Sequence, residues 1–385
     1  MRPLLQLLLR GTLSLLGGVI VPTLAWAQPG FYVTPSLSLA AVYDDNLFST
    51  PSGRGREQDI IMRFSPGIQA GYQSTPLTLL GRYTFDAEVF ADHPDLTTPQ
   101  ARQRASMEVQ YLPTRLLTLA LTSEYVQTET PGELNLTTGL EGGRVRAQSY
   151  SFSPSVAYRF DPLTGGTGGY AFTKTEQSGG VTIDAHIATL GLERRITPRD
   201  TGDLGYTLRH FSFDDIGTTT SHAFTVGWAR QITAQTSIVL RGGPRFSEGS
   251  VAPEVSAAIR HRLKTGELSF TYARTQTTAF GQAGTVITES FAGAMTYQLL
   301  RLLRVSAAPS YAINTSDVAE AKVYRAGLNA TYQVNQWLSL LGFYQFSFQQ
   351  GRLEAAAVTA GRGGEEIYHN IVLLSLTITY PFRAY

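Results

Sequence analysis

The chain has no cysteine in its 385 residues. A disulfide framework, a zinc–thiolate site and a cysteine nucleophile are therefore excluded. Long apolar runs are also missing. After residue 27 nothing approaches the ~20 apolar residues of a membrane-spanning helix. Lysine is rare: Lys174, Lys264 and Lys322 are the only three, and the rest of the 31 basic side chains are arginines. A formal net charge of +1 gives no argument for nucleic acid.

Catalytic signatures are equally scarce. His93, His186, His210, His222, His261 and His369 show no metal-ligand spacing. No G-x-S-x-G elbow occurs. The glycines of "GGTGG" at 165–169 lack the lysine and helix of a phosphate loop, so a turn is expected there. His93 and His222 lie near loops, and Asp214-Asp215 lie not far from His222. A rim hydrolase would have to use them. The expectation is no enzyme and no cofactor.

What is present begins with a leader. Arg2 and Arg10 supply positive charge, "LLQLLLRGTLSLLGGVIVPTLAWA" is apolar but interrupted, and Ala25-Trp26-Ala27 offers small residues before a cut at Gln28. Residues 1–27 read as a cleaved signal peptide and 28–385 as the mature domain. The competing reading, an N-terminal anchor, is opposed by Arg10, Gly17-Gly18 and Pro22.

Beyond the leader, period two dominates. In "LTLLGRYTFDAEVF", Leu79, Gly81, Tyr83, Phe85, Ala87 and Val89 share one face, while Arg82, Thr84, Asp86 and Glu88 share the other. Such alternation marks strands with one face in an apolar medium and one in a polar medium. About eighteen such segments can be counted, many longer than ten residues. Short connections such as "QSTP" and "LPTR" alternate with longer ones such as "DNLFSTPSGRGREQ" and "SEGSVAP". The fold class expected is all-β: a transmembrane antiparallel up-and-down barrel of about 18 strands in the bacterial outer membrane. An even strand count places both termini in the periplasm. A soluble propeller or sandwich would need a sealed apolar core and would not predict short–long alternation. "IVLLSLTITYPF" resembles the C-terminal signal read by the barrel-assembly machinery, with Phe382 as its end.

If the apolar face meets lipid and lipopolysaccharide, the other face lines the lumen. That assigns Arg63, Arg82, Arg102, Arg104, Arg159, Arg209, Arg241, Arg245, Arg260, Arg262, Arg304 and Arg325 to the interior, against Asp44, Asp86, Glu88, Glu108 and Glu124. Arginine offers a permanently charged fork that suits oxyanions. An arginine-lined channel favours anions. The structural alternative is register-holding ion pairs, which suits Arg82, Arg102 and Arg104 near Asp86, Glu88 and Glu108. For the arginines of strands 11, 12, 15 and 16 no acidic partner is evident on adjacent strands. Two segments could plug the barrel: residues 130–143, and the loop containing "RLEAAAV". Under the plugged reading, deleting 351–364 opens a pore.

"AVYDDNLFST" at 41–50 groups two aspartates and an asparagine where strand 1 ends. Asp44, Asp45 and Asn46 are weak metal candidates, because Ca²⁺ takes ~6–8 oxygen ligands and three are too few. Tyr43, Asp44, Asp45, Asn46, Leu47 and Phe48, followed by Ser65-Pro66-Gly67, resemble a family of outer-membrane β-barrel porins often encoded beside exopolysaccharide or capsule export genes. The match covers about the first fifth of the chain. The resemblance implies a passive channel for anionic solutes or exopolysaccharide, with periplasmic export proteins as partners. A plugged barrel serving as a scaffold in an envelope complex is the alternative.

Overall fold

The alternation described above forms one closed sheet in the computed structural model, which describes residues 30–214, 216–316, 320–351 and 366–383. The leader, the "RLEAAAV" loop and Tyr385 lie outside the described residues. The strands are β1 (Phe31–Asp44), β2 (Asp59–Gln73), β3 (Leu77–Phe90), β4 (Thr98–Tyr111), β5 (Leu117–Thr128) and β6 (Ala147–Arg159). Then come β7 (Thr164–Gln177), β8 (Ile183–Arg195), β9 (Asp200–Phe213), β10 (Gly217–Gln231), β11 (Thr236–Ser247) and β12 (Ser250–Leu263). The last six long strands are β13 (Gly266–Thr278), β14 (Thr285–Leu300), β15 (Leu303–Thr315), β16 (Glu320–Gln333), β17 (Leu338–Gly351) and β18 (Glu366–Thr379). A two-residue β19 (Phe382–Arg383) continues beside β1.

Each strand pairs antiparallel with its sequence neighbours, and β1 closes the sheet by pairing with both β2 and β18. Leu39 sits opposite Phe64 on one side and Leu376 on the other. Closure leaves no edge of unpaired backbone groups, which is the condition for strands in lipid. Among the described residues no helix is long and apolar enough to cross a membrane.

The outward face carries the large apolar side chains. Leu190 and Val226 are 63% and 65% exposed, which is costly in water and natural in hydrocarbon. Near the end bearing the longer loops, aromatic rings form a chain around the outside. Tyr272, Phe291, Tyr311, Tyr324, Phe348 and Tyr368 follow one another on β13–β18, with centroids 4.4–6.2 Å apart. At the other end, Trp337, Tyr380 and Phe382 cluster similarly. Two aromatic bands flanking an apolar belt are what a membrane–water interface selects.

Two expectations about connections change. "GGTGG" is no turn; it lies within β7, where Gly168 pairs with Val156 and Leu190. A Cβ at Gly166 would meet the Phe160 ring at 2.8 Å, so glycine makes room for an outward aromatic. "SEGSVAP" is no long loop either. Glu248 and Gly249 form a two-residue hairpin turn with φ of 47° and 79°, the positive values that a type I′ turn needs.

Candidate functional site

The site is built at the long-loop end, where the first strand stops. Asn46 is fully buried. Its Nδ2 donates to Thr50 O and Tyr368 O, both at 2.9 Å, and its Oδ1 accepts from Thr50 N at 2.7 Å. Asp44 Oδ1 accepts from Asn46 N at 2.9 Å and lies 2.8 Å from His369 Nε2. Asp45 accepts from Asn370 N and Nδ2 at 2.6 and 2.7 Å. Consecutive residues of β1 and its exit thus fasten to consecutive residues of β18. Leu47 then turns into the barrel, packing with Val42, Ile61 and Phe90. Asp44, Asp45 and His369 place possible ligand atoms within 4.8 Å of one another. Both Asp45 oxygens and the Asn46 amide are already engaged, so the motif is a seam clasp by its own bonding.

The β5–β6 loop folds across the interior. Pro131–Glu133 forms a one-turn 3-10 helix at its start. Further on, Asn314 Nδ2 of β15 donates to Thr138 O at 2.8 Å, and Phe280 N donates to Asn135 Oδ1 at 3.0 Å. Leu140 packs with Ala279, Val286, Ala321 and Val323 on the far wall. Glu141 is the latch. Arg325 Nη2 donates to it at 3.1 Å, Gln349 Oε1 accepts from its backbone N–H at 2.9 Å, and His369 Nδ1 lies 3.6 Å from its Oε2. That last distance is too long for a hydrogen bond and is an ionic contact. Burial pushes the Glu141 carboxyl up, but contacts from His369, Arg325 and Ser347 outweigh it and hold it at about 2. A second bridge joins the β7–β8 and β13–β14 loops, with Val181 N donating to Gly281 O at 3.2 Å.

By register, all twelve arginines lie on the face opposite the outward apolar rows. Eight of them form ion pairs. Arg63 reaches Glu88 at 2.7 Å, Arg102 reaches Asp86 at 3.0 Å and also Glu133, and Arg82 reaches Glu108 at 3.4 Å. Arg104 turns to Glu133 at 3.3 Å. Three arginines for which no acid was evident have one. Arg241 meets Asp203 of β9, Arg260 meets Glu267 of the adjacent β13, and Arg325 meets Glu141 of the inward loop. Alternation alone would have found Asp203, Glu254 and Glu267 on the inner face. Glu133 and Glu141 sit on a loop, where no period betrays direction. Arg159, Arg245, Arg262 and Arg304 have no carboxylate partner among the described residues. Beneath the loop, β1–β4 and β16–β18 enclose a cavity of about 480 Å³ that carries five arginines and five carboxylates.

Of the histidines, His186 and His210 face each other across β8 and β9 with ring centroids 6.2 Å apart, on the outer face. By register His186, His210 and His222 face outward and bond hydroxyls of Tyr170, Thr220 and Tyr206. His93 belongs to the β3–β4 loop, 2.7 Å from both Asp59 and Glu57. The Asp59 contact first, then Glu57, raises its pKa above the usual 6.5. A raised folded value means the added stability is complete below 6.5 and is lost as pH rises from there through the raised folded value. Amide protection of Ala91, Asp92 and His93, beyond intrinsic exchange, should fall across that rise. His93→Gln should remove the pH step, and a step retained in the variant would assign it elsewhere.

A closed antiparallel barrel with an outward apolar belt and two aromatic bands defines a class: the chain is a bacterial outer-membrane β-barrel. No family model and no curated protein matches it. Among solved structures it is similar to OccAB4 of Acinetobacter baumannii at 9% identity, with 92% of this chain and 99% of that one covered and a TM-score of 0.48. It is likewise similar to OpdO of Pseudomonas aeruginosa (11%, 92% and 98%, 0.48). The FrpB iron transporter of Neisseria meningitidis compares at 8% identity, 92% and 82% coverage, and a TM-score of 0.49. Identities this low, with scores this modest, assign neither family nor function.

Proposed function

We propose that the barrel is a channel for anionic solutes, with an acidic exopolysaccharide as its largest cargo. The carrying observation is where positive charge stays uncompensated. Arg159, Arg262 and Arg304 stand inward at the short-turn ends of β6, β12 and β15, and none has a carboxylate partner among the described residues. Of the paired arginines, Arg63, Arg102, Arg104 and Arg325 line the cavity under the inward loop, while Arg260 meets Glu267 at the short-turn end. Unpaired guanidinium groups at a mouth with low-dielectric walls focus positive potential and draw anions. This reading puts the short-turn end and both termini in the periplasm, so cargo would be met there and pass outward. The resemblance in strand β1 supports the polysaccharide cargo. The folded barrel in planar bilayers should conduct with anion selectivity, and Arg159→Gln/Arg262→Gln/Arg304→Gln together should lower that selectivity several-fold. Cation selectivity would overturn the proposal.

A second reading, a plugged scaffold in an envelope complex, rests on the loops that meet over the long-loop end. It predicts no conductance from the intact chain.

A further inference from the structure

Of the twelve inward arginines, four lack a carboxylate among the described residues, and one of these is not at the mouth. Arg245 lies on β11 near the long-loop end and is only 4% exposed. Its Nε and Nη1 are buried with no hydrogen-bond partner. No described residue forms an ion pair or hydrogen bond with its guanidinium group. A buried guanidinium left unmatched is strongly unfavourable, so such groups call for a missing partner.

The surroundings define what that partner must be. Arg209 of β9 donates from Nη1 to Glu254 Oε2 at 2.9 Å, and Arg274 donates to Glu289 at 2.8 Å. Each of these two arginines thus has one carboxylate of its own. Glu254 attracts Arg245, while Arg209 and Arg274 repel it. Three guanidinium groups and two carboxylates leave the cluster one negative charge short. Two residue pairs nearer the loop end on the adjacent β10, Ser221 is fully buried with an unpartnered Oγ. Two buried polar side chains on adjacent strands of the inner face are thus without a hydrogen-bond partner. Glu254 and Thr275, which both contact Arg209, also line a lumen cavity of about 400 Å³ that continues toward the short-turn end.

We infer that Arg245 and Ser221 form a binding subsite for one oxyanion, a carboxylate or phosphate group borne by a solute in the lumen. Arg245 supplies charge and N–H donors, and Ser221 supplies a hydroxyl donor. The subsite rests on the reading of the barrel as an anion channel and gives it an internal station beyond the mouth. A planar fork suits a carboxylate and a phosphate alike.

The test uses the full barrel folded in detergent, titrated calorimetrically with sodium acetate and separately with inorganic phosphate at constant ionic strength. Saturable binding of at least one is expected, weakened tenfold or more in Arg245→Gln and less in Arg245→Lys. Thermal unfolding gives a second readout: the binding anion should raise the midpoint of the wild type and leave that of Arg245→Gln unmoved. Acetate alone would mark a carboxylate subsite, and phosphate alone a phosphate subsite. No saturable binding of either, or equal binding by wild type and Arg245→Gln, overturns the inference. Bilayer conductance separates the two readings, because the channel can fail there while the titration succeeds, and the reverse.

Discussion

A barrel lacking residues 132–142, with Pro131 joined to Gly143, should conduct several-fold more than the intact chain. The physical reason is that this loop belongs to the interior and not to the wall. The β5–β6 ladder is complete without it, ending at Thr128 opposite Ala147. Its contacts run instead to β4, β15, β16, β17, β18 and the β13–β14 loop. Removing it should leave the closed sheet standing and empty the space it crosses. Glu141→Gln should give a weaker form of the same result, because it loses the ionic contacts with Arg325 and His369. The sign with pH is fixed. The Glu141 value is depressed, so its contribution is full above the unfolded value of 4.5 and is lost as pH falls from there through about 2. A shift of that size corresponds to roughly 3 kcal/mol. Wild-type conductance should therefore climb in acid toward that of the glutamine variant, which itself should not respond over that range. Single-channel recording decides it. Conductance unchanged by the deletion would mean the loop does not bound the passage.

Most of the wall was legible because lipid imposes a rule on every residue of a strand. A side chain facing hydrocarbon must be apolar, so the alternation in "LTLLGRYTFDAEVF" marks β3 and orients Arg82, Asp86 and Glu88 at once. The same rule places Asp203, Glu254 and Glu267 inside, although their strands are less regular. Glycine weakened the signal in β7, where Gly165, Gly166, Gly168 and Gly169 carry no polarity on either face. The Glu248-Gly249 turn was hidden because Ser247 and Ser250 look like loop yet pair within the sheet. The site was less legible for a different reason. Whether Arg325 meets a carboxylate depends on where the β5–β6 loop goes, and a loop has no period to read. Glu141 sits far from Arg325 in sequence and acquires it only through closure of the barrel. Arg245 shows the converse. Its type and face follow from alternation, but its lack of a partner emerges only when every neighbour's bonding is known.

Asn46→Ala should be the most destabilising single change at the seam, lowering stability by about 3–5 kcal/mol. The side chain makes three hydrogen bonds with no exposure to water. Truncation strands Thr50 N and removes a donor from two carbonyls, one of them Tyr368 O on β18. Each buried group left unsatisfied costs ~1–3 kcal/mol. Asn46→Asp should not rescue the loss. It keeps the acceptor for Thr50 N but turns an oxygen toward two carbonyl oxygens, and it adds a charge beside Asp44 and Asp45. Asp45→Ala should cost less, because Asp45 is only partly buried. This ordering separates a seam clasp from a metal site. A clasp ranks Asn46 first and is indifferent to chelator, whereas a site built on Asp44, Asp45 and His369 would lose stability with EDTA and spare Asn46→Ala. Urea unfolding of the detergent-folded barrel, followed by the mobility difference between folded and heated forms on gels, reads all three variants. The outcome also bears on folding. β1 is made first and must wait for β18, more than 300 residues later, before the barrel can close, so the residues that join them act at the last step. Asn46→Ala should then mainly speed unfolding, because its bonds form last, while a substitution on a mid-sheet strand whose pairings form earlier should mainly slow folding.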